Sequence, residues 1–132
     1  MKTLNFKISE LIYSETSIKN NINNMPDINS LDNMLELICY CLQPLREKIK
    51  KPIIITSGYR NSEVNKLVGG VANSQHTKGQ AVDFVINGMT VEQIINFIKV
   101  NNIEFDECIN EYNKWCHISY NKGKNRHLYL KY

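Results

Sequence analysis

The chain has 132 residues, 42% of them apolar and 22% charged, with a formal net charge of +3 at pH 7. This length suits one domain, which we expect to span residues 1–132, and the apolar share excludes an intrinsically disordered chain. The charge bias is mild. We interpret its densest part as a solvated segment and expect no nucleic-acid partner, since nucleic-acid-binding domains carry clustered basic faces. That part comprises four residues near the C-terminus, Lys122, Lys124, Arg126 and Lys131.

Cysteine content and the N-terminal residues bear on where the protein is made. The four cysteines form no CxxC pair, and we interpret them as reduced and mostly packed, which fits folding in the cytosol. The first residues contain no apolar segment of signal-peptide length, and no segment approaches the roughly 20 apolar residues of a membrane span. We therefore expect cytoplasmic synthesis without a signal peptide, and no membrane span.

Helical patterns come first along the chain. Residues 8–14 can form a short helix. The strongest helix is predicted over residues 31–45, where apolar side chains recur at helical spacing. Asn29 or Ser30 can cap its start, and Pro44 is expected to kink or restart it, because proline lacks the backbone N–H that a helix interior uses.

Strand patterns gather in the second half. A β-branched run predicts a buried strand over 52–56, followed by a short helix over 62–67. Alternation predicts a strand over 81–86, and a capping box predicts a helix over 90–99. Further strands are predicted over 104–110, 115–120 and 127–131. Helices first and strands later predict an α+β fold, with a small, mainly antiparallel sheet and helices packed on one side.

One histidine and one aspartate lie at the two ends of a short glycine-containing segment. Gly79 lets the loop turn back, so that His76 can approach Asp83 on the next strand. On the strand over 115–120, His117 points to the face opposite the apolar side chains. Two imidazoles and one carboxylate form a zinc site with an open fourth position. From spacing alone, His76 could also be an exposed loop histidine, Asp83 a capping acid and His117 a histidine packed on Trp115.

Three motifs in order along the chain reduce this ambiguity. They are S-G-Y-R at 57–60, S-x-H-x-x-G-x-A-x-D at 74–83 and W-x-H-x-S at 115–119. Together they resemble the M15 family of zinc D-Ala-D-Ala peptidases, in its small single-domain branch common among phage endolysins. The resemblance covers nearly the whole chain. It implies a fold like that of D,D-peptidases and hedgehog domains, and one bound Zn²⁺.

The resemblance also implies roles for individual residues. His76, Asp83 and His117 would be the zinc ligands. Arg60 would bind a substrate carboxylate or the developing oxyanion, since a guanidinium fork suits both, although it could also be a surface arginine that closes a loop.

Three neighbouring residues are expected to support the site. Ser74 and Gln75 would shape the loop and hydrogen-bond around the first ligand. Trp115 would contact the substrate or the ligands.

A general base is needed to take a proton from water and pass it to the leaving amine. Some members of the family carry this acid three residues before the last histidine, where this chain has Lys114. The branch that this chain resembles carries a glutamate at the position of Glu111. If residues 112–114 form a three-residue hairpin loop, Glu111 pairs with Trp115 and lies diagonal to His117 on one face. Asp106 is the second candidate.

We therefore expect a zinc metallopeptidase that hydrolyses peptide bonds in bacterial peptidoglycan stem peptides or cross-links, as a D,D-carboxypeptidase or an endopeptidase. Synthesis without a signal suggests a phage or prophage lysis enzyme that acts on the cell wall after release, and we expect a monomer. One alternative, kept open by Lys114, is a non-catalytic zinc-containing module that binds the wall or builds a virion. A nucleic-acid-associated protein is disfavoured, because no basic face is interleaved with aromatic residues.

Overall fold

The computed structural model describes residues 4–132, which are organised around one five-stranded sheet. Across the sheet the strands follow the order β1-β2-β4-β3-β5. The pairs β1/β2, β2/β4 and β3/β4 are antiparallel, whereas β3/β5 is parallel. This confirms the predicted mainly antiparallel sheet. The bounds are β1 Ile54–Ser57, β2 Ala81–Val85, β3 Glu107–Glu111, β4 Trp115–Ser119 and β5 Leu128–Lys131.

Helices make up most of the remaining regular structure and confirm the α+β class. The predicted helices over 62–67 and 90–99 are both present, the second with the capping box. A turn of 3₁₀-helix at Gln75–Lys78 lies within the segment predicted as a loop. The α-helices are α1 Ile8–Ile12, α2 Glu15–Lys19, α3 Ile28–Leu37, α4 Gln43–Ile49, α5 Ser62–Leu67 and α6 Val91–Val100.

The long helix predicted over 31–45 begins earlier than expected. Its cap is Asp27, whose side chain accepts a 2.8 Å hydrogen bond from the backbone N–H of Ser30. The predicted caps, Asn29 and Ser30, are wrong, because both lie inside the first turn. An aspartate three residues upstream of a free N–H satisfies that donor as well as the predicted caps would, and it fixes the start at Ile28.

The same helix changes its pitch before Pro44, as expected. Residues Ile38–Leu42 are π-helical, with the Gln43 N–H bonded to the Ile38 carbonyl five residues back. Pro44 then falls in the first turn of α4, where its missing N–H costs little. The helix therefore restarts and runs beyond residue 45 to Ile49.

Of three other predicted elements, one needs correction and two are confirmed. The predicted helix over 8–14 is confirmed as α1, which ends at Ile12. A second short helix, α2, follows it, because Ser14 caps a new start by accepting from the Ser17 N–H. The strand predicted as buried over 52–56 is an edge strand, with Ile54 40% exposed. The last strand, predicted over 127–131, is confirmed as β5, which forms the opposite edge of the sheet and is exposed along its whole length.

The two faces of β2 and β4 have different environments. Val82, Phe84, Cys116 and Ile118 are buried in the main core. Side chains from the three longest helices, α3, α4 and α6, belong to this same core, which places these helices on one side of the sheet. The opposite face carries Asp83 and His117, because successive side chains of a strand alternate.

The cysteines are all free thiols, as predicted. Cys41, Cys108 and Cys116 are buried, while Cys39 is exposed. Within residues 4–132, none of the helices has the length and apolar character that crossing a membrane requires.

Candidate metal centre

His76 lies on the 3₁₀ turn and is 3% exposed. The Ser74 hydroxyl caps this turn by accepting a 3.1 Å hydrogen bond from the His76 N–H. Gly79 ends the turn with φ of +73°, a left-handed conformation that favours glycine. A β-carbon at Gly79 would collide with the carbonyl oxygen of Ser30, so α3 also requires glycine here. The turn is thereby fixed close to the start of β2.

The orientation of the His76 ring is set by the Gly58 carbonyl. The ring Nδ1 lies 2.8 Å from that oxygen. A carbonyl only accepts, so we assign the ring proton to Nδ1. This leaves Nε2 as the atom that faces Asp83, at 3.3 Å from its Oδ1. In the neutral ring, Nε2 carries a lone pair, which is the form that binds a metal.

Asp83 and His117 face each other across paired strands. The register places Asp83 of β2 opposite His117 of β4, and both residues are 8% exposed. His117 Nδ1 lies 3.0 Å from Asp83 Oδ1. All three predicted ligands are thus brought together, with one ligand atom from each within 4.8 Å of the others.

The spacing of these atoms fits a tetrahedral metal ion. Zinc bonds to nitrogen and oxygen of 2.0–2.1 Å give an edge of about 3.3 Å between two ligand atoms. The separations from Asp83 Oδ1 are 3.3 Å to His76 Nε2 and 3.0 Å to His117 Nδ1. A neutral Nε2 and a carboxylate oxygen both present lone pairs, so a cation between them removes their repulsion. The residues present therefore suit a divalent ion with nitrogen and oxygen ligands.

The electrostatics of the centre favour an ionised Asp83. Burial alone would raise its pKa, but contacts with the rings of His117 and His76 outweigh that effect and hold the pKa well below the ordinary range. Asp83 therefore carries a negative charge at neutral pH, which suits a metal ligand.

Glu111 lies beside the three ligands. The β3/β4 hairpin pairs Glu111 with Trp115, so its loop has three residues, as the placement of Glu111 beside His117 requires. Glu111 Oε1 is 3.8 Å from His117 Nδ1. Burial and the Asp83 charge raise the pKa of Glu111, although the two histidines oppose this. Lys114 lies in the hairpin loop.

Asp106, the second candidate for the base, is engaged elsewhere. Its side chain is 1% exposed, and its two carboxylate oxygens accept hydrogen bonds from Arg126 and Gln75. This arrangement leaves Glu111 as the acid beside His117.

Arg60 lies next to the centre. Its backbone N–H donates to the His76 carbonyl at 3.1 Å, which ties it to the turn. Burial lowers the pKa of its guanidinium, while the charges of Asp83 and Glu111 act in the opposite direction. Its Nε atom is buried and has no hydrogen-bond partner among residues 4–132. A buried donor of this kind is commonly satisfied by a ligand or water.

The remaining predicted residues surround the centre in different ways. Ser74 shapes the turn. Within residues 4–132, the Gln75 side chain makes no hydrogen bond to the candidate ligands, and instead donates a 2.9 Å hydrogen bond to Asp106. The indole N–H of Trp115 is buried and meets no hydrogen-bond acceptor at normal bonding geometry within residues 4–132. It lies close enough to Glu111 to lower the pKa of that carboxyl slightly.

Sequence reasoning missed several residues that hold the site. Asn24 donates to the Tyr59 carbonyl at 3.0 Å and accepts from the Asn61 N–H at 2.9 Å, so it fixes the loop that carries Arg60. Gly58 supplies the carbonyl that orients His76. A polar side chain in an asparagine-rich run and a backbone carbonyl give no periodic signal. In the sequence, the presence of Gly58 within the S-G-Y-R motif at 57–60 is the one sign of such a contact.

Two buried imidazoles and a carboxylate, with a further carboxylate beside them on an α+β fold, define the site of a metal-dependent hydrolase. The sequence model of a family described as Peptidase M15 matches residues 4–119. The chain therefore belongs to the M15 peptidase family, whose members are metallopeptidases.

Three curated relatives support this assignment. The chain is similar to the peptidoglycan L,D-endopeptidase MepK of Escherichia coli strain K12, of Escherichia coli O157:H7 and of Shigella flexneri. Each match is 43% identical over 72 residues and covers 51% of this chain and 39% of the relative. The chain thus matches about two fifths of the length of these relatives.

Proposed function

We propose that this protein is a zinc-dependent peptidase that hydrolyses a peptide bond in bacterial peptidoglycan, either in stem peptides or in the cross-links between them. The observation that carries the proposal is the position of Glu111, 3.8 Å from His117 and on the same sheet face as Asp83 and His117, the two candidate ligands on strands. A metal site that serves only structure does not require a free carboxylate at that place. The likeness to peptidoglycan endopeptidases supplies the substrate class.

The residues of the chain divide the chemistry among them. His76, Asp83 and His117 would hold the zinc ion, which supplies Lewis-acid polarisation of the scissile carbonyl and a lowered pKa for water. Glu111 accepts a proton from the attacking water at its carboxylate and returns that proton to the leaving amine. Its raised pKa suits both steps.

Arg60 completes the arrangement by supplying positive charge. Its guanidinium is within electrostatic reach of Asp83 and Glu111, and its Nε hydrogen needs an acceptor. A substrate carboxylate or the developing oxyanion provides one, and charge-assisted hydrogen bonds of this kind are the stronger ones.

The type of bond and the biological setting are finer parts of the proposal. An endopeptidase is favoured over a D,D-carboxypeptidase, because the similar curated proteins are named endopeptidases. We further propose a monomer of phage or prophage origin that reaches the wall after release from the cytoplasm. Sedimentation velocity tests the first of these properties. Lysis of cells from outside, compared with lysis after membrane permeabilisation, tests the requirement for release.

Metal analysis combined with muropeptide digestion tests the function. The wild type is expected to bind about one zinc per chain and to convert cross-linked muropeptides to smaller products. The His117→Ala variant should lose both properties, whereas His127→Ala should keep both, because His127 is exposed and paired with Glu104. Wild-type protein that holds no zinc and digests no muropeptide after zinc is added would overturn the proposal. Zinc binding without digestion would favour the non-catalytic module.

A further inference from the structure

A cleft of about 460 Å³ opens beside Arg60. Its walls are residues 13–16 at the start of α2, residues 55–57 of β1, and Val64 and Val68 from α5 and its cap. This volume lies within the range of about 300–1,000 Å³ that is typical of ligand pockets. Among the residues that line this cleft, Arg60 is the one to which the proposed function gives a role.

Arg60 links the cleft to the metal centre. It belongs to the lining, its backbone is bonded to His76, and its guanidinium responds to the charges of Asp83 and Glu111. The unpartnered Nε atom shows that the residues around it do not satisfy the guanidinium. A ligand in the cleft is therefore positioned to reach the reacting groups.

β1 gives the cleft an unpaired strand edge. It is the outermost strand of the sheet and pairs with β2 on one side. Its residues 55–57 also line the cleft. Extended peptides bind such strand edges through main-chain hydrogen bonds, and nearby pockets select their side chains.

The charges in the cleft indicate the chemistry of the peptide. The lining contains one guanidinium, Arg60, and one carboxylate, Glu15. Glu15 is exposed, and it forms no ion pair with any other residue in the described range 4–132. A ligand with an anionic or carbonyl oxygen near the metal and an amine further along would match both groups. Hydroxyls of Ser14 and Thr16 add polar groups at the same end.

We propose that this cleft is a substrate subsite that binds an extended wall peptide bearing a free amino group, with the peptide along β1 and its amine at Glu15. The inference rests on the proposed function, because it names a part of the substrate for the same centre. A partly exposed ion pair predicts a modest preference, of about two- to fivefold in affinity, for the free amine over a neutral form.

Peptide binding tests the charge at Glu15. The probes are a fluorescein-labelled stem tetrapeptide with lysine at its third position and the same peptide with that lysine acetylated. Anisotropy is measured with zinc-loaded Glu111→Gln protein, so that hydrolysis does not deplete the probe. The amine form should bind more tightly, and Glu15→Gln should abolish this preference. Glu63→Gln is the matched control, because Glu63 is an exposed acid in the first turn of α5 outside the cleft, and it should retain the preference.

Blocking the cleft tests its location. Val68 is 43% exposed at the end of α5, so Val68→Trp fills part of the cleft and removes no buried side chain from the core. It should weaken binding of the amine peptide at least about tenfold while the zinc content stays unchanged. Val100→Trp at the end of α6, where Val100 is 69% exposed, should bind like the parent protein. Equal binding by both tryptophan variants, or a preference that survives Glu15→Gln, would overturn the subsite.

Hydrolysis by the otherwise unchanged chain separates the two proposals. Digestion of stem peptides without any dependence on the amine or on Val68 would remove the subsite and leave the peptidase. Amine-dependent binding that Val68→Trp abolishes, without any digestion, would support the subsite and remove the peptidase.

Discussion

Replacing Asp106 by alanine removes the acceptor of four hydrogen bonds that join three parts of the chain. The donors are the Gln75 amide at 2.9 Å and three groups of Arg126, its backbone N–H at 2.9 Å, Nε at 2.9 Å and Nη2 at 3.0 Å. Gln75 directly precedes His76, and Arg126 leads into β5. The carboxylate therefore connects the turn that carries a candidate ligand to the C-terminal segment.

The size of the effect follows mainly from Gln75. Without Asp106, its amide keeps only a 3.4 Å contact with Gln80, and a donor left unsatisfied costs about 1–3 kcal/mol. Arg126 can turn to solvent, because its side chain is 53% exposed, so it adds nothing to this figure. For a chain of this length, each kcal/mol lowers the melting temperature by roughly 3–5 °C. We expect a loss of about 2 kcal/mol, or roughly 8 °C.

The effect should also depend on pH in a defined direction. Burial raises the pKa of Asp106, but hydrogen bonds from Arg126 and Gln75 outweigh it and lower the pKa below its ordinary value. A carboxylate with a lowered folded-state pKa stabilises the protein above its unfolded pKa, and this contribution is lost as pH falls through the folded value. The difference between the wild type and the alanine variant should therefore shrink below about pH 4.

Urea unfolding followed by circular dichroism, at pH 7 and pH 3, measures the loss of stability and its dependence on pH. Glu104→Gln is the control, because it breaks the exposed ion pair with His127 in the same region and should cost less than about 1 kcal/mol. Zinc affinity, measured by chelator competition, should fall for Asp106→Ala and stay unchanged for the control. Equal stability losses in the two variants, or a full loss that persists at pH 3, would refute the reasoning.

Three further substitutions test the centre directly. Glu111→Gln should lower peptide hydrolysis by about 10²- to 10⁴-fold while zinc stays bound, and unchanged turnover would assign the base to another group. Gly79→Ala should destabilise the fold by about 1–3 kcal/mol in thermal melts, because φ is +73° and a β-carbon would meet a carbonyl of α3. Gly123→Ala is the control, because Gly123 has a φ of +75° but open space around it, and this variant should lose less stability. Equal losses of stability in the two alanine variants would contradict the steric argument. Gly58→Ala should weaken zinc binding in chelator competition, since a β-carbon would overlap α1 and displace the carbonyl that holds His76.

Local patterns predicted the parts of the site that lie on regular structure. Asp83 and His117 lie opposite each other because strand alternation and the burial of one sheet face fix the register of their strands. The three-residue hairpin loop was the condition for Glu111 to lie beside His117, and the pairing of Glu111 with Trp115 meets it. Both inferences needed only the spacing of residues within or between adjacent strands.

Contacts between distant irregular segments could not be predicted in the same way. Asn24 holds the Arg60 loop from 35 residues away, and Gly58 orients His76 from 18 residues away. Neither contact joins two strands or two α-helices, so no periodicity indicates it. The early start of α3 was missed for a related reason, since Asp27 and Ser30 are both acceptable caps and only the observed hydrogen bond separates them.

The centre therefore combines two halves that are fixed by different physical means. Asp83 and His117 depend on strand register, and a slip of one residue in either strand would turn the ligand side chain of that strand into the apolar core. His76 has no sheet partner, and its position depends on separate hydrogen bonds to Gly58 and Arg60 and on the neighbouring link from Gln75 to Asp106. Because the ligand atoms of the two halves come within 3.3 Å, small changes in those loop contacts alter the metal site while the sheet stays intact. Substitutions outside the sheet can therefore weaken metal binding without unfolding the protein.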